Sequence, residues 1–115
     1  MSIAFEGRNL HINGQLVVLP WPVLQAVEHH AKVFALLDPD AYLTSAGYSR
    51  EAPALRNLWA FDLAGCKVWE AEYPEVPDYY YRLSSVDPLV AHSFSSHICT
   101  IDTANGAVLQ ALFVK

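Results

Sequence analysis

The chain has 115 residues, 53% of them hydrophobic and 17% charged, with a formal net charge of −5 at pH 7. That length gives one domain able to bury a core without metals or a disulfide framework, and that composition excludes a disordered chain. Twelve acidic against seven basic residues, with no Lys/Arg cluster, argue against a nucleic-acid ligand, because nothing is in place to neutralise phosphates.

Met1–Arg8 has no basic stretch followed by an apolar one, so no secretion signal is expected. No apolar run approaches the roughly 20 residues that span a bilayer. The first hairpin is Leu10–Ile12 and Gln15–Leu19 around Asn13-Gly14, the preferred pair where both central residues of a type I′ turn need φ > 0. Pro20-Trp21-Pro22 ends that strand, since proline cannot donate to a ladder. Val23–His30 fits two patterns: Leu24 and Val27 line a helix face, while Val23, Gln25, Val27 and His29 alternate as in a strand. The short β elements on both sides favour the strand.

Lys32–Asp38 is a continuous apolar run of strand length, as expected of a central strand covered on both faces. Asp38-Pro39-Asp40 is turn chemistry, and Ala41–Arg56, with Tyr42, Tyr48, Arg50 and Arg56, is the longest irregular stretch and a natural functional loop. Asn57–Asp62, a turn through Gly65 and Lys67–Tyr73 then form a hairpin. Pro74–Pro77 punctuates the chain before Tyr79–Ser84, with Tyr79, Tyr81 and Leu83 expected on one face. Leu89–Phe94 pairs back after Asp87-Pro88, and Ser95-Ser96 leads into a last hairpin, His97–Asp102 and Ala107–Lys115.

Two such units repeat at about residues 31–73 and 78–115. Val33–Leu37 corresponds to Leu89–Ser93, Leu58–Phe61 to Ile98–Ile101, and Lys67–Tyr73 to Ala107–Phe113. At an offset of forty residues Asp62 meets Asp102, while Gly65 and Gly106 miss by one, so the two turns differ by a residue. The pattern Asp62-x-x-Gly65-x-x-x-Trp69, preceded by Ala60, resembles the turn of a β-propeller blade of the pyrroloquinoline-quinone-like and WD-like repeats. Thr100, Asp102 and Gly106 match it more loosely. The resemblance covers about half the chain and implies blade-like meanders, with Asp accepting turn N–H groups, Gly supplying φ > 0 and Trp69 packing between sheets. It implies no quinone cofactor, since two blades cannot close a ring around an axial site. In layout the chain is also similar to short bacterial proteins of unknown function, some of which neutralise secreted toxins as immunity proteins.

Chemistry-bearing residues are sparse. His29 and His30 are adjacent, so in a strand they face opposite sides and cannot share an ion without a bend. His92 and His97 flank Ser95-Ser96 with no carboxylate at fixed spacing, and no metal site is expected. Ser93, Ser95 and Ser96 beside them lack a nucleophile elbow or an oxyanion-hole segment, so no catalytic set is expected. Cys66 and Cys99 have no metal-ligand spacing, consistent with a reduced, cytoplasmic protein; a bridge between them would need Cα atoms within about 7 Å. On the strand Lys67–Tyr73, Trp69, Ala71 and Tyr73 share one face and Val68, Glu70 and Glu72 the other. Glu70, Glu72, Glu75 and Asp78, with Tyr79 and Tyr81, make an acidic, tyrosine-rich surface suited to a basic protein partner.

The expectation is a single all-β domain over residues 1–115, with ten or eleven short strands in two blade-like antiparallel meander sheets packed on one core. The expected function is that of a non-catalytic binding protein without cofactor, such as an immunity-type toxin neutraliser. The alternative is a structural or oligomerising module, and a homodimer is expected because open sheet edges of so apolar a chain need cover.

Overall fold

The computed structural model describes residues 3–39, 56–74 and 79–114. Tyr42, Tyr48 and Arg50 of the expected loop, and Glu75 and Asp78 of the acidic strip, lie outside the described residues. The strands are β1 Ile3–Glu6, β2 Asn9–Ile12, β3 Gln15–Val18, β4 Val23–His29, β5 Lys32–Leu37, β6 Leu58–Asp62, β7 Lys67–Glu70, β8 Tyr80–Val86, β9 Leu89–Ser93, β10 His97–Ile101 and β11 Val108–Phe113. They make an all-β domain of three antiparallel sheets, β1-β2-β3, β4-β5-β6-β7 and β8-β9-β10-β11, each a meander of sequence neighbours.

The expected pair of sheets was one short. Ile3–Glu6 carries too few residues to stand out in the sequence, yet it pairs with Asn9–Ile12, setting Phe5 opposite Leu10 and Ile3 opposite Ile12. With the Asn13-Gly14 hairpin, whose φ values of 50° and 83° are those of a type I′ turn, it completes an N-terminal sheet. Val23–His29 is a strand, settled by its pairing along β5 from Val23 opposite Leu37 to His29 opposite Lys32.

The sheets stack in layers with β4–β7 in the middle. One face of that sheet (Val23, Val33, Ala35, Leu37 and Phe61) packs on Leu10, Ile12 and Leu19 of the N-terminal sheet and its exit. The other face (Phe34, Leu36, Leu58, Ala60, Trp69 and Ala71) packs on Tyr80, Leu83, Leu89, Ala91, Cys99 and Ile101 of the C-terminal sheet. Double coverage explains why β5 is buried at five consecutive positions, Val33–Leu37, and reads as an unbroken apolar run. Each large side chain fully buried there is worth about 1.5–3 kcal/mol.

The two Asp–Gly turns form as their residues dictate. Asp62 Oδ1 accepts from the backbone N–H groups of Ala64 and Cys66, and Asp102 Oδ1 accepts from Ala104 N–H. Gly65 and Gly106 take φ of 86° and 79°. Asp62 N–H donates to the Cys66 carbonyl, whereas Asp102 N–H donates to that of Ala107, one residue further on. That extra residue is the one-position offset of the two glycines.

β8 departs from simple alternation. Register shifts between Tyr80 and Arg82 and between Leu83 and Ser85 reset its phase, so Tyr80 and Leu83 point into the core while Tyr81 is exposed. Tyr79, Tyr81 and Leu83 therefore do not share a face. The Leu83 N–H at the second irregularity is met by Gln25 Oε1 from β4, 2.8 Å away, a side-chain bond that joins the middle and C-terminal sheets.

Candidate functional site

The junction of the middle and C-terminal sheets holds the most organised polar chemistry in the fold, and Asn57 is at its centre. Its side chain is buried, yet all four of its hydrogen-bonding positions are used. Nδ2 donates to the Leu37 carbonyl at 2.9 Å and to the Tyr80 carbonyl at 2.6 Å, while Oδ1 accepts from Tyr80 N–H at 3.0 Å and Tyr73 OH at 2.9 Å. The amide thus pairs with the backbone of Tyr80 as another strand would, at the point where β8 begins. Tyr80 OH in turn donates to the Glu72 carbonyl, and the Tyr73 and Tyr80 rings meet edge to face at 5.2 Å.

A second contact runs along β7. The β10–β11 turn docks against it: Trp69 Nε1 donates to the Thr103 carbonyl at 3.0 Å, Lys32 Nζ reaches the same carbonyl at 2.6 Å, and Glu72 N–H donates to the Gly106 carbonyl at 2.9 Å. Trp69 is buried against Phe34, as its position on the outgoing strand of the Asn57–Tyr73 hairpin implied, and its indole N–H has its partner.

This architecture separates the residues of the acidic, tyrosine-rich surface. Glu70 pairs across β6 with Trp59, on the side of the middle sheet that faces the N-terminal sheet, and its carboxylate holds Lys67 Nζ at 2.6 Å. Lys67 itself lies 4.3 Å over the Trp59 ring. Glu72 is exposed but its Oε1 lies 3.4 Å from the Val108 N–H at the start of β11. Tyr79 stacks on Phe94 with ring centroids 5.0 Å apart, and Tyr81 stands over the edge of His92 on the outer face of the C-terminal sheet. Glu70, between the middle and N-terminal sheets, and Tyr81, on the outer face of the C-terminal sheet, are thus separated by the core that joins the middle and C-terminal sheets. Periodicity within one strand placed Trp69 and Ala71 on the buried face and Glu70 on the other, but the strand ends at Glu70, the Glu72 carboxylate reaches β11, and periodicity carries no information on which layer each strand joins.

The serine–histidine cluster is a turn network. Ser93 Oγ and Ser95 Oγ are 2.9 Å apart, Ser95 Oγ is 2.9 Å from His97 Nδ1, and His97 N–H donates to Ser93 Oγ at 3.3 Å. The acids nearest this cluster in sequence, Asp102 and Asp87, sit at the other end of the sheet: Asp102 follows the last residue of β10 and Asp87 precedes β9, about 16 Å along a five-residue strand. The two cysteines form no disulfide: Cys66 is exposed in its turn and Cys99 is buried in the core.

The surroundings of His92 displace its titration. Burial and the neighbouring Arg82 guanidinium hold its pKa below the ordinary 6.5. Its Nε2 lies 2.9 Å from Ser84 Oγ and 3.4 Å from an Arg82 nitrogen that can only donate, so the ring is arranged to accept, in its neutral form. A depressed histidine pKa means the unfolded chain binds the proton first, so this contribution to stability is present above pH 6.5 and is lost as the pH falls through the folded value. His92→Gln should therefore flatten the fall in urea midpoint between pH 7 and pH 5; a variant that loses stability over that range as steeply as the parent would contradict the assignment.

Sequence periodicity overlooked one exposed surface. Leu109, Leu112 and Phe113 on β11, Val114 just beyond it, and Phe94 in the β9–β10 turn are all large, apolar and exposed. Ala107–Val114 contains no charge, and the strand it forms lies at the edge of its sheet. No helix among the described residues is long and apolar enough to cross a membrane.

These features define an all-β domain of three layered meander sheets in which the edge strand β11 carries exposed apolar side chains. The chain belongs to the DUF7957 family, a domain of unknown function, whose model matches residues 1–113. No curated protein and no solved structure matches it.

Proposed function

We propose that this domain is a non-catalytic assembly and binding module in which two copies join through the free edge of β11. The observation that carries the proposal is the state of that strand: Leu109 is 64% and Phe113 65% exposed, on an edge strand. Ala104–Val114 contains no charged residue in a chain of net charge −5, so two copies can approach there without opposing charges at the contact. The segment is also self-complementary. Ala111 pairs with the inward-facing Cys99 and Phe113 with His97, which places Ala111 and Phe113 on one side of the sheet, while Leu109 falls at the irregularity opposite Thr100 and Ile101. A two-fold axis through Ala111 sets Leu109 of each copy opposite Phe113 of the other, an aliphatic–aromatic pair made twice, and joins two four-stranded sheets into one.

The test is the mass of the protein in solution at tens of micromolar. The parent chain should run as a dimer, and Ala111→Lys, which brings two like charges together on the axis, should run as a monomer with an unchanged circular dichroism spectrum. A parent that is monomeric at that concentration refutes the pairing, as does a variant that stays dimeric.

The binding of a separate protein, toxin-neutralising or otherwise, is the second reading. It is favoured by the stacked Tyr79–Phe94 pair and the exposed Tyr81, which form an aromatic patch of the kind that anchors interfaces. Glu70 and Glu72 fit this reading less directly, because Lys67 and the start of β11 already engage their carboxylates.

A further inference from the structure

We propose that His29, His30 and Asp87 form a binding site for a divalent transition-metal ion of the Zn²⁺ type, where the β4–β5 and β8–β9 turns meet. Adjacent residues of an extended strand could not share an ion. Here the chain reverses at the pair: His30 and Ala31, neither glycine nor asparagine, take φ of 50° and 64°. These are the φ values that the two-residue type I′ turn between His29 and Lys32 requires, met here by two residues that bear side chains. The reversal sets the two imidazoles beside each other, ring centroids 3.9 Å apart. Asp87 arrives from the other sheet with Oδ2 3.4 Å from His29 Nε2, and one donor atom from each of the three residues lies within 4.8 Å of the others.

Two details distinguish this cluster from an ordinary surface ion pair. His29 Nε2 is buried and makes no hydrogen bond with any described residue, although Asp87 Oδ2 is 3.4 Å away, so the two atoms are close without being aligned on each other. Their separation also equals the edge, about 3.4 Å, of a tetrahedron whose corners lie 2.0–2.1 Å from a central Zn²⁺. His30 and Asp87 are exposed and have room to close the remaining spacing. Two imidazoles and one carboxylate suit Zn²⁺ and its neighbours rather than Ca²⁺ or Mg²⁺, which prefer oxygen donors throughout. The cluster borders a cleft of about 270 Å³ whose wall includes Leu89, Thr100, Asp102 and Thr103, leaving a fourth coordination position for water or a further oxygen donor. An ion bound there would tie the middle sheet to the C-terminal sheet at the end opposite Ser95 and His97.

Calorimetric titration of the tag-free chain with Zn²⁺, alongside thermal denaturation with and without the ion, tests the site. One ion per chain is expected, with a rise in Tm. His29→Ala and Asp87→Asn should each weaken binding by at least the tenfold that even outer-shell changes cost, and should abolish the rise in Tm. His11→Ala and Cys66→Ser, which remove exposed donors elsewhere, should bind as the parent does. Should Asp87→Asn fail to fold, His30→Gln at an exposed turn position supplies the same comparison. Absence of stoichiometric binding to the parent overturns the proposal, and so does binding that survives loss of His29 or is lost with Cys66.

Discussion

Asn57→Asp should destabilise the domain by about 4 kcal/mol at pH 7, a large share of the 5–15 kcal/mol that holds a domain of this kind together. The substitution preserves shape and reverses chemistry. Nδ2, which donates to the Leu37 and Tyr80 carbonyls, becomes a carboxylate oxygen facing both. A buried charge is then unpaired and two buried carbonyls lose their donor. Because burial favours the protonated acid, its folded pKa lies above the unfolded one, so stability should partly return as the pH is lowered through the folded value. Urea denaturation at pH 7 and pH 4.5 measures both effects. A loss below about 1 kcal/mol at pH 7 would show that the junction between the sheets does not depend on this amide.

Gly106→Ala should cost about 2–4 kcal/mol, combining left-handed backbone strain with overpacking of the core. A Cβ built there lies 2.6 Å from Trp69 Cε3, 3.0 Å from Cδ2 and 3.1 Å from the Glu70 carbonyl, and neither a buried indole nor a strand backbone can withdraw easily. Gly14→Ala is the control. Its φ of +83° imposes comparable strain, but nothing lies within 4 Å of the new carbon, so only about 1–2 kcal/mol should be lost. Equal losses in the two variants would mean that packing against Trp69 contributes nothing. Glu72 N–H donates to the Gly106 carbonyl, so displacement of this turn should also show as faster amide exchange at Glu72.

The strands that were legible in the sequence share a property: their signal is local. Asn13-Gly14 names its turn, Asp62 with Gly65 and Asp102 with Gly106 name theirs, and Val33–Leu37 announces double coverage by having no polar position. Ile3–Glu6 was missed because a four-residue edge strand has no pattern of its own and exists through pairing with β2. The phase of β8 was misread because its two irregularities answer to the partner strand β9 and to Gln25, neither of which is near in sequence. Asn57 looked like an unremarkable polar residue before an apolar strand; its importance comes from Tyr80, 23 residues further along the chain.

The candidate sites divide in the same way. Periodicity found the two faces of β7, and it rightly required a bend before His29 and His30 could act together; the left-handed turn at His30 and Ala31 is that bend. It offered no route to Asp87, which reaches His29 from 58 residues away, nor to the separation of Glu70 from Tyr81 by the packed core. By itself the sequence determined that the protein is all-β, where its tight turns fall and which strand is central, because backbone sterics and burial periodicity act over a few residues. Only the tertiary structure decided that there are three layers, which polar side chains meet and which apolar side chains stay exposed at an edge, because those outcomes depend on contacts between segments whose order in space short-range chemistry does not encode.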